Sequence, residues 1–199
     1  MFHNLANKLT LARILIIPAI VVLFYLPFSW SHIIAAYLFI AGCITDWLDG
    51  FIARKWKQTS DLGILLDPIA DKLIIAVCLI LLIDKYNHIL IIIAAMIIIS
   101  REIAVAGLRE WLLKTQSAQK ISLAVSFSGK LKTVLQMIAV AILLAAPYPY
   151  VPYQQWIGYI ALCLAVALTI YSMLYYLKVA LRADKAKLHA INPYAEDAN

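Results

Sequence analysis

Six long apolar stretches occupy most of this 199-residue chain, and each is long enough to cross a membrane as a helix. Their bounds are 8–26, 32–54, 64–84, 88–110, 129–146 and 153–181, and the residues after 181 are polar. An α-helix needs about 20 apolar residues to span the hydrocarbon core of a bilayer. The pattern therefore predicts an all-α integral membrane protein, with a six-helix domain over 1–181 and a polar tail over 182–199.

The composition excludes the common classes of water-soluble protein. Apolar residues make up 64% of the chain and charged residues 14%, whereas a soluble domain has roughly 25% charged residues. Cys43, Cys78 and Cys163 all lie in apolar stretches, so we expect small buried side chains rather than a disulfide framework. The net charge of +6 favours contact with anionic lipid headgroups over nucleic acid. No small-residue cleavage site follows the first apolar stretch, so we interpret it as an uncleaved span.

The positions of the basic residues predict the orientation. The first, third and fifth loops contain one Lys or Arg among them, Lys85, and nearly all the others lie at the N-terminus, in the second and fourth loops, and in the tail. The positive-inside rule then places both termini in the cytoplasm. The second span would end, and the third would begin, on the cytoplasmic side.

Carboxylates follow a helical spacing where these two spans meet. The second span carries Asp46, Asp49, Gly50, Ala53 and Arg54 at i, i+3, i+4, i+7 and i+8, and the third carries Gly63, Asp67 and Asp71 at i, i+4 and i+8. Such spacings lie on one face of a helix. Two antiparallel helices would therefore bring four carboxylates together at the cytoplasmic end.

Four ionised carboxylates at membrane depth need compensation, because each charge there costs at least about 2.5–3.5 kcal/mol and like charges repel. Two divalent cations would balance them, and hard oxygen ligands suit Mg²⁺ or Mn²⁺. A pair of metals held by carboxylates commonly serves displacement at phosphorus. The alternatives are interfacial Asp residues paired with local Lys and Arg, and a pathway for cations or protons.

The complete spacing Asp-x2-Asp-Gly-x2-Ala-Arg-x8-Gly-x3-Asp-x3-Asp resembles the signature of the CDP-alcohol phosphotransferase family. This resemblance implies a six-helix membrane enzyme, usually a homodimer, that transfers a phosphatidyl group from a CDP-activated lipid to an alcohol and releases CMP. It also implies a role for each matching residue. Asp46, Asp49, Asp67 and Asp71 would hold two Mg²⁺ or Mn²⁺ ions, with Asp71 also acting as the general base. Gly50, Arg54 and the less specific Ser60 would bind the nucleotide of the CDP-lipid.

The N-terminal segment from Asn7 to Arg13 resembles the Asn-x-Leu-Thr-x-x-Arg opening of the family, although Ala6 stands where many relatives have proline. The resemblance assigns Asn7 and Thr10 to the binding of the CDP-lipid. The alternative is that these two residues cap the first helix.

Cations in the second half of the chain bear on the identity of the acceptor. Arg101, Arg109, Lys130 and Lys132 lie near the predicted cytoplasmic ends of spans four and five. An anionic acceptor such as glycerol 3-phosphate needs such cations. These segments resemble the bacterial branch of the family that uses glycerol 3-phosphate and CDP-diacylglycerol in the cytoplasmic (inner) membrane. A sister activity with serine or inositol phosphate stays open, as do ordinary positive-inside charge for the lysines and an internal pair with Glu102 for Arg101.

Overall fold

The computed structural model of the protein describes residues 5–28, 30–56, 61–114, 127–146 and 152–191. These residues form an all-helical structure, as predicted. Its elements are α1 (Leu5–Tyr25), α2 (Ser31–Trp56), α3 (Asp61–Tyr86), α4 (Ile89–Lys114), α5 (Phe127–Ala145) and α6 (Pro152–Ile191). Each helix contains most of one predicted apolar stretch. Helix α6 also continues ten residues into the predicted polar tail, where Ala, Leu, Lys and Arg have high helix propensity.

Two stretches in the described part of the chain are long and apolar enough to cross a membrane, Ile89–Leu108 and Tyr153–Tyr175. Three shorter apolar stretches are Thr10–Tyr25, Ser31–Thr45 and Leu131–Ala145. The stretch in α2 ends directly before Asp46, because the charged residues of the signature lie inside the same helix. The helices agree with a membrane protein, while six spans and their orientation stay predictions.

The helices pack as a bundle in which α1 contacts α2 and α3, α4 contacts α3 and α6, and α5 contacts α6 and α2. The interior contains a core of apolar side chains such as Phe39, Leu79 and Ile98. Many large apolar side chains are more than half exposed, among them Leu15, Tyr37, Met96, Ile103 and Ile160. An apolar exterior suits lipid, where helix association depends on packing and polar contacts between helices.

Polar contacts join two helices, α3 and α5, at the end of the bundle where α3 leads into α4. The Lys85 ammonium donates to the carbonyl oxygens of Leu143, Leu144 and Ala146 at 3.3, 3.0 and 2.8 Å. These carbonyls lie at the C-terminus of α5, where such oxygens have no partner within the helix. The Tyr86 hydroxyl also donates to the Leu143 carbonyl, at 2.8 Å. Lys85 and Tyr86 therefore attach the end of α3 to the end of α5.

Candidate functional site

A close contact between α2 and α3 determines their relative position. Only residues 57–60 separate the two helices, so they run antiparallel. A Cβ atom added to Gly42 would lie 2.7 Å from Cδ1 of Ile74, closer than real Cβ contacts. The absent side chain at Gly42 thus allows α3 to approach the backbone of α2.

This contact gives a reference point for the four positions of the predicted carboxylate cluster. On α2, Asp46 and Asp49 follow Gly42 by four and seven residues; on α3, Asp71 and Asp67 precede Ile74 by three and seven. Steps of three, four and seven residues stay on one helix face. Because the helices are antiparallel, both sets lead toward the same end of the bundle. Counting along the two helices from this contact agrees with one shared α2–α3 interface for the four positions, and their convergence there stays a prediction.

Most of the predicted side chains of this cluster lie outside the described set. Asp71 is described and is half-buried. At eight other predicted positions the structure describes only the helical backbone: Asn7, Asp46, Asp49, Gly50, Arg54, Asp67, Arg109 and Lys130. Ser60 lies outside the described residues altogether. Among the described side chains, no group of three or more His, Cys, Asp or Glu could hold a metal ion, so the metal ligands stay a prediction.

Helix α1 brings a buried cation to the α2–α3 contact. Arg13 is fully buried, and its Cγ lies 4.0 Å from the position of a Cβ on Gly42. Thr10, three residues earlier and on the same face of α1, is also buried. Thr10 lies more than one turn after Leu5, so it is inside the helix and does not cap it. The sequence analysis assigned no role to Arg13, although an arginine within an apolar stretch indicates a paired or functional side chain.

A second polar cluster links α4, α5 and α6. Oε1 of Glu102 accepts hydrogen bonds from Arg101 Nη1 at 2.6 Å and from Lys132 Nζ at 2.7 Å. Arg101 Nη2 also donates to the Ser172 hydroxyl on α6 at 2.7 Å. Arg101, Lys132 and Ser172 are 5%, 4% and 3% exposed, so the cluster lies within the bundle.

The internal pair considered as an alternative for Arg101 is therefore present. Among the described side chains of the cluster, two cations contact one carboxylate. Glu102 thus holds Arg101 of α4 and Lys132 of α5 together within the bundle. Lys132 being buried also argues against the alternative that it is ordinary surface charge at the membrane interface.

A groove of about 300 Å³ lies between α3 and α4. Its lining is mostly isoleucine and leucine, and the charged residues among its lining are Lys72 and Glu102. Lys72 directly follows Asp71 in the chain, whereas Glu102 bonds Arg101 and Lys132. The groove therefore has Glu102 of the cation cluster in its lining, together with the residue that follows Asp71 in the chain.

Sequence reasoning missed three buried polar residues of the second half of the chain: Gln136, Thr169 and Ser172. The sequence indicates these residues only weakly, through their helical spacing. Gln136 follows Lys132 by four residues and Ser172 follows Thr169 by three, so each pair lies on one helix face inside an apolar stretch. Without the packing of α5 on α6, nothing in the sequence brings the two pairs together.

Comparison with known proteins identifies the family. The model of the CDP-alcohol phosphatidyltransferase family matches residues 3–171. A protein of Salmonella choleraesuis (strain SC-B67) named CDP-diacylglycerol–glycerol-3-phosphate 3-phosphatidyltransferase is 42% identical over 90% of this chain and 96% of its own length. A protein of Escherichia coli (strain K12) with the same name is 42% identical over 92% of this chain and 98% of its own. The family model covers most of the chain, and both relatives are 42% identical to it. The chain therefore belongs to the CDP-alcohol phosphatidyltransferase family.

Proposed function

We propose that the protein transfers the phosphatidyl group of CDP-diacylglycerol to sn-glycerol 3-phosphate, giving phosphatidylglycerophosphate and CMP. The names of the relatives state this donor and acceptor. The observation that carries the proposal is the cluster in which Glu102 holds the two buried cations Arg101 and Lys132, and the Gly42–Ile74 contact between the two helices that carry the aspartates supports it.

The residues at the α2–α3 interface fit divalent cations. Members of this family generally use such ions, and four carboxylates are hard oxygen donors of the kind that Mg²⁺ and Mn²⁺ prefer. Asp46, Asp49, Asp67 and Asp71 would hold two of them. When bound, such ions polarise a diphosphate and stabilise the leaving phosphate.

Asp71 is the general base in the proposed reaction. Its carboxylate takes the proton of the acceptor hydroxyl while the hydroxyl oxygen bonds to the lipid-side phosphorus of CDP-diacylglycerol. The bond from that phosphorus to the bridging oxygen breaks, and CMP leaves with the oxygen. Asn7, Thr10, Gly50, Arg54 and Ser60 bind the nucleotide end of the donor.

Arg101, Arg109, Lys130 and Lys132 bind the phosphate of the acceptor in this proposal. The observed cluster supports the first and last of them, because both are buried and both contact the same carboxylate, so two cations lie close together within the bundle. A phosphate monoester would form charge-assisted hydrogen bonds with such a pair, which a neutral acceptor would not.

The proposed setting is the cytoplasmic (inner) membrane of a bacterium. Six helices cross it, both termini lie in the cytoplasm, the active site faces the cytoplasm, and two copies form a homodimer. The basic residues near the predicted cytoplasmic ends support the orientation, and family membership supports the dimer.

The test is an assay of purified protein with labelled glycerol 3-phosphate, CDP-diacylglycerol and Mg²⁺ or Mn²⁺. We expect metal-dependent incorporation of label into lipid, lost in Asp71→Asn. Serine and inositol phosphate are supplied in parallel, and turnover with one of these but not with glycerol 3-phosphate would assign a sister activity. Ion flux across liposomes without any lipid product would instead support the transporter alternative.

A further inference from the structure

Helices α5 and α6 have a register that can be read from one contact. A Cβ atom added to Gly158 on α6 would lie 2.6 Å from both Cγ and Cδ2 of Leu143 on α5. The helices are antiparallel, so positions equally far from this pair, backward on α5 and forward on α6, lie opposite each other. Eleven residues before Leu143 is Lys132, and eleven residues after Gly158 is Thr169. Seven residues before Leu143 is Gln136, and seven after Gly158 is Ala165. Thr169 therefore lies across the interface from Lys132 and Gln136.

The α5–α6 interface changes character along this register. Around Leu143 and Gly158 it is apolar, and Leu162 and Ala139 continue it as buried apolar residues. About one helical turn further it becomes polar, with Gln136, Thr169, Lys132 and Ser172 all buried. The polar part coincides with the point where Arg101 of α4 reaches Ser172.

Two hydrogen-bond donors in this polar part have no acceptor among the described residues. They are Nε2 of Gln136 and Oγ1 of Thr169, in side chains that are 2% and 0% exposed. Native proteins rarely leave buried donors unpaired, because the lost hydration is not replaced. By the register above, Thr169 lies opposite Lys132, and Gln136 lies one turn from Lys132 on the same face of α5. Lys132 in turn shares Glu102 with Arg101. This part of the bundle thus presents donors and positive charge together.

We propose that Gln136 and Thr169 bind the phosphate of the acceptor, so that α6 supplies part of the acceptor site together with α4 and α5. A phosphate monoester brings several acceptor oxygens for Nε2 of Gln136 and Oγ1 of Thr169, and its negative charge suits a site that contains Arg101 and Lys132. Ser172 is a positioning residue in this arrangement, because it holds Arg101 at 2.7 Å. This inference rests on the proposed use of glycerol 3-phosphate.

The test compares Gln136→Leu and Thr169→Val with wild-type protein in mixed micelles. We expect the KM for glycerol 3-phosphate to rise at least tenfold in each variant, with the KM for CDP-diacylglycerol unchanged. Without acceptor, the temperature of unfolding should stay the same or increase, because each substitution removes an unpaired buried donor. A merely structural role predicts the reverse: a lower unfolding temperature and an unchanged KM for the acceptor, which would overturn the inference.

Ser31→Ala is the matched control. Ser31 is also buried, but its hydroxyl donates to the carbonyls of Leu26 and Phe28 at the start of α2. We expect this variant to unfold at a lower temperature with both KM values unchanged.

A second measurement separates the inference from the proposed function. Addition of glycerol 3-phosphate or inorganic phosphate, with no CDP-lipid present, should raise the unfolding temperature of the wild type and not that of Gln136→Leu. If the wild type transfers no lipid to glycerol 3-phosphate, the proposed function fails. If transfer is normal and both variants keep the wild-type KM and the phosphate-induced shift, the inference alone fails.

Discussion

Gly42 of α2 and Ile74 of α3 are in close contact, since a Cβ added to Gly42 would come within 2.7 Å of Ile74 Cδ1 and the isoleucine side chain would have to shift. Asp49 and Asp67 each lie seven residues from this pair, toward the same end of the bundle. The proposed site therefore depends on a helix register to which Gly42, outside the signature, contributes.

Replacing Gly42 should separate the two helices. We expect Gly42→Leu to lower the free energy of unfolding by about 1–3 kcal/mol, the usual cost of overpacking, and to reduce transfer activity further than stability alone explains. Gly107→Leu is the control, because nothing lies within 4 Å of an added Cβ at Gly107. Thermal unfolding in detergent measures both variants. Equal unfolding temperatures for the two would contradict the role given to Gly42.

The proposed metal site predicts a dependence of stability on divalent cations. In the wild type, Mg²⁺ or Mn²⁺ should raise the unfolding temperature, because the ions bind the folded state and relieve repulsion between carboxylates. Asp46→Asn and Asp67→Asn should lose this shift. In the absence of metal they should be at least as stable as the wild type, since each removes one negative charge. An undiminished metal shift in both variants would remove these residues from the site.

Glu102 contacts two cations, so replacing it should lower the free energy of unfolding. Replacing one of the cations as well should reduce that loss. Glu102→Gln leaves Arg101 and Lys132 side by side, and we expect a loss of about 2 kcal/mol, less than for a fully buried pair because Glu102 is 28% exposed. The double variant Glu102→Gln/Lys132→Met should regain at least about 1 kcal/mol of this loss. Additive effects in the double-mutant cycle would show that the ion pair is not coupled. Inorganic phosphate should also restore stability to the single variant.

Lys85, just beyond the third predicted span, predicts a dependence of stability on pH. Burial lowers the pKa of its ammonium from 10.5 to about 8. Between these two values the unfolded chain binds more protons than the folded protein, so the contribution of Lys85 to stability rises as pH increases from 8 toward 10.5. We expect the unfolding temperature of the wild type to rise over this range relative to Lys85→Arg, whose guanidinium stays charged. A constant difference between the two would contradict the prediction.

Part of the candidate site could be predicted from the sequence because its spacing has a helical period. Asp46, Asp49, Asp67 and Asp71 recur at steps of three and four residues, and a short connection between the helices makes them antiparallel. The second cluster had no such local pattern. Gln136 and Thr169 are 33 residues apart in the chain, and a single polar residue in an apolar stretch does not indicate which neighbour it meets.

The sequence by itself determined the helical class, the apolar stretches and the carboxylate positions, because helix period and hydrophobicity are local properties of the chain. Only the tertiary structure decided that Arg13 lies beside Gly42, that Glu102 joins Arg101 to Lys132, and that α6 faces these cations with Thr169 and Ser172. These relationships depend on which helices pack together and in which register. Close contacts at small residues such as Gly42 and Gly158 set that register, and only the packed structure reveals which side chains they meet.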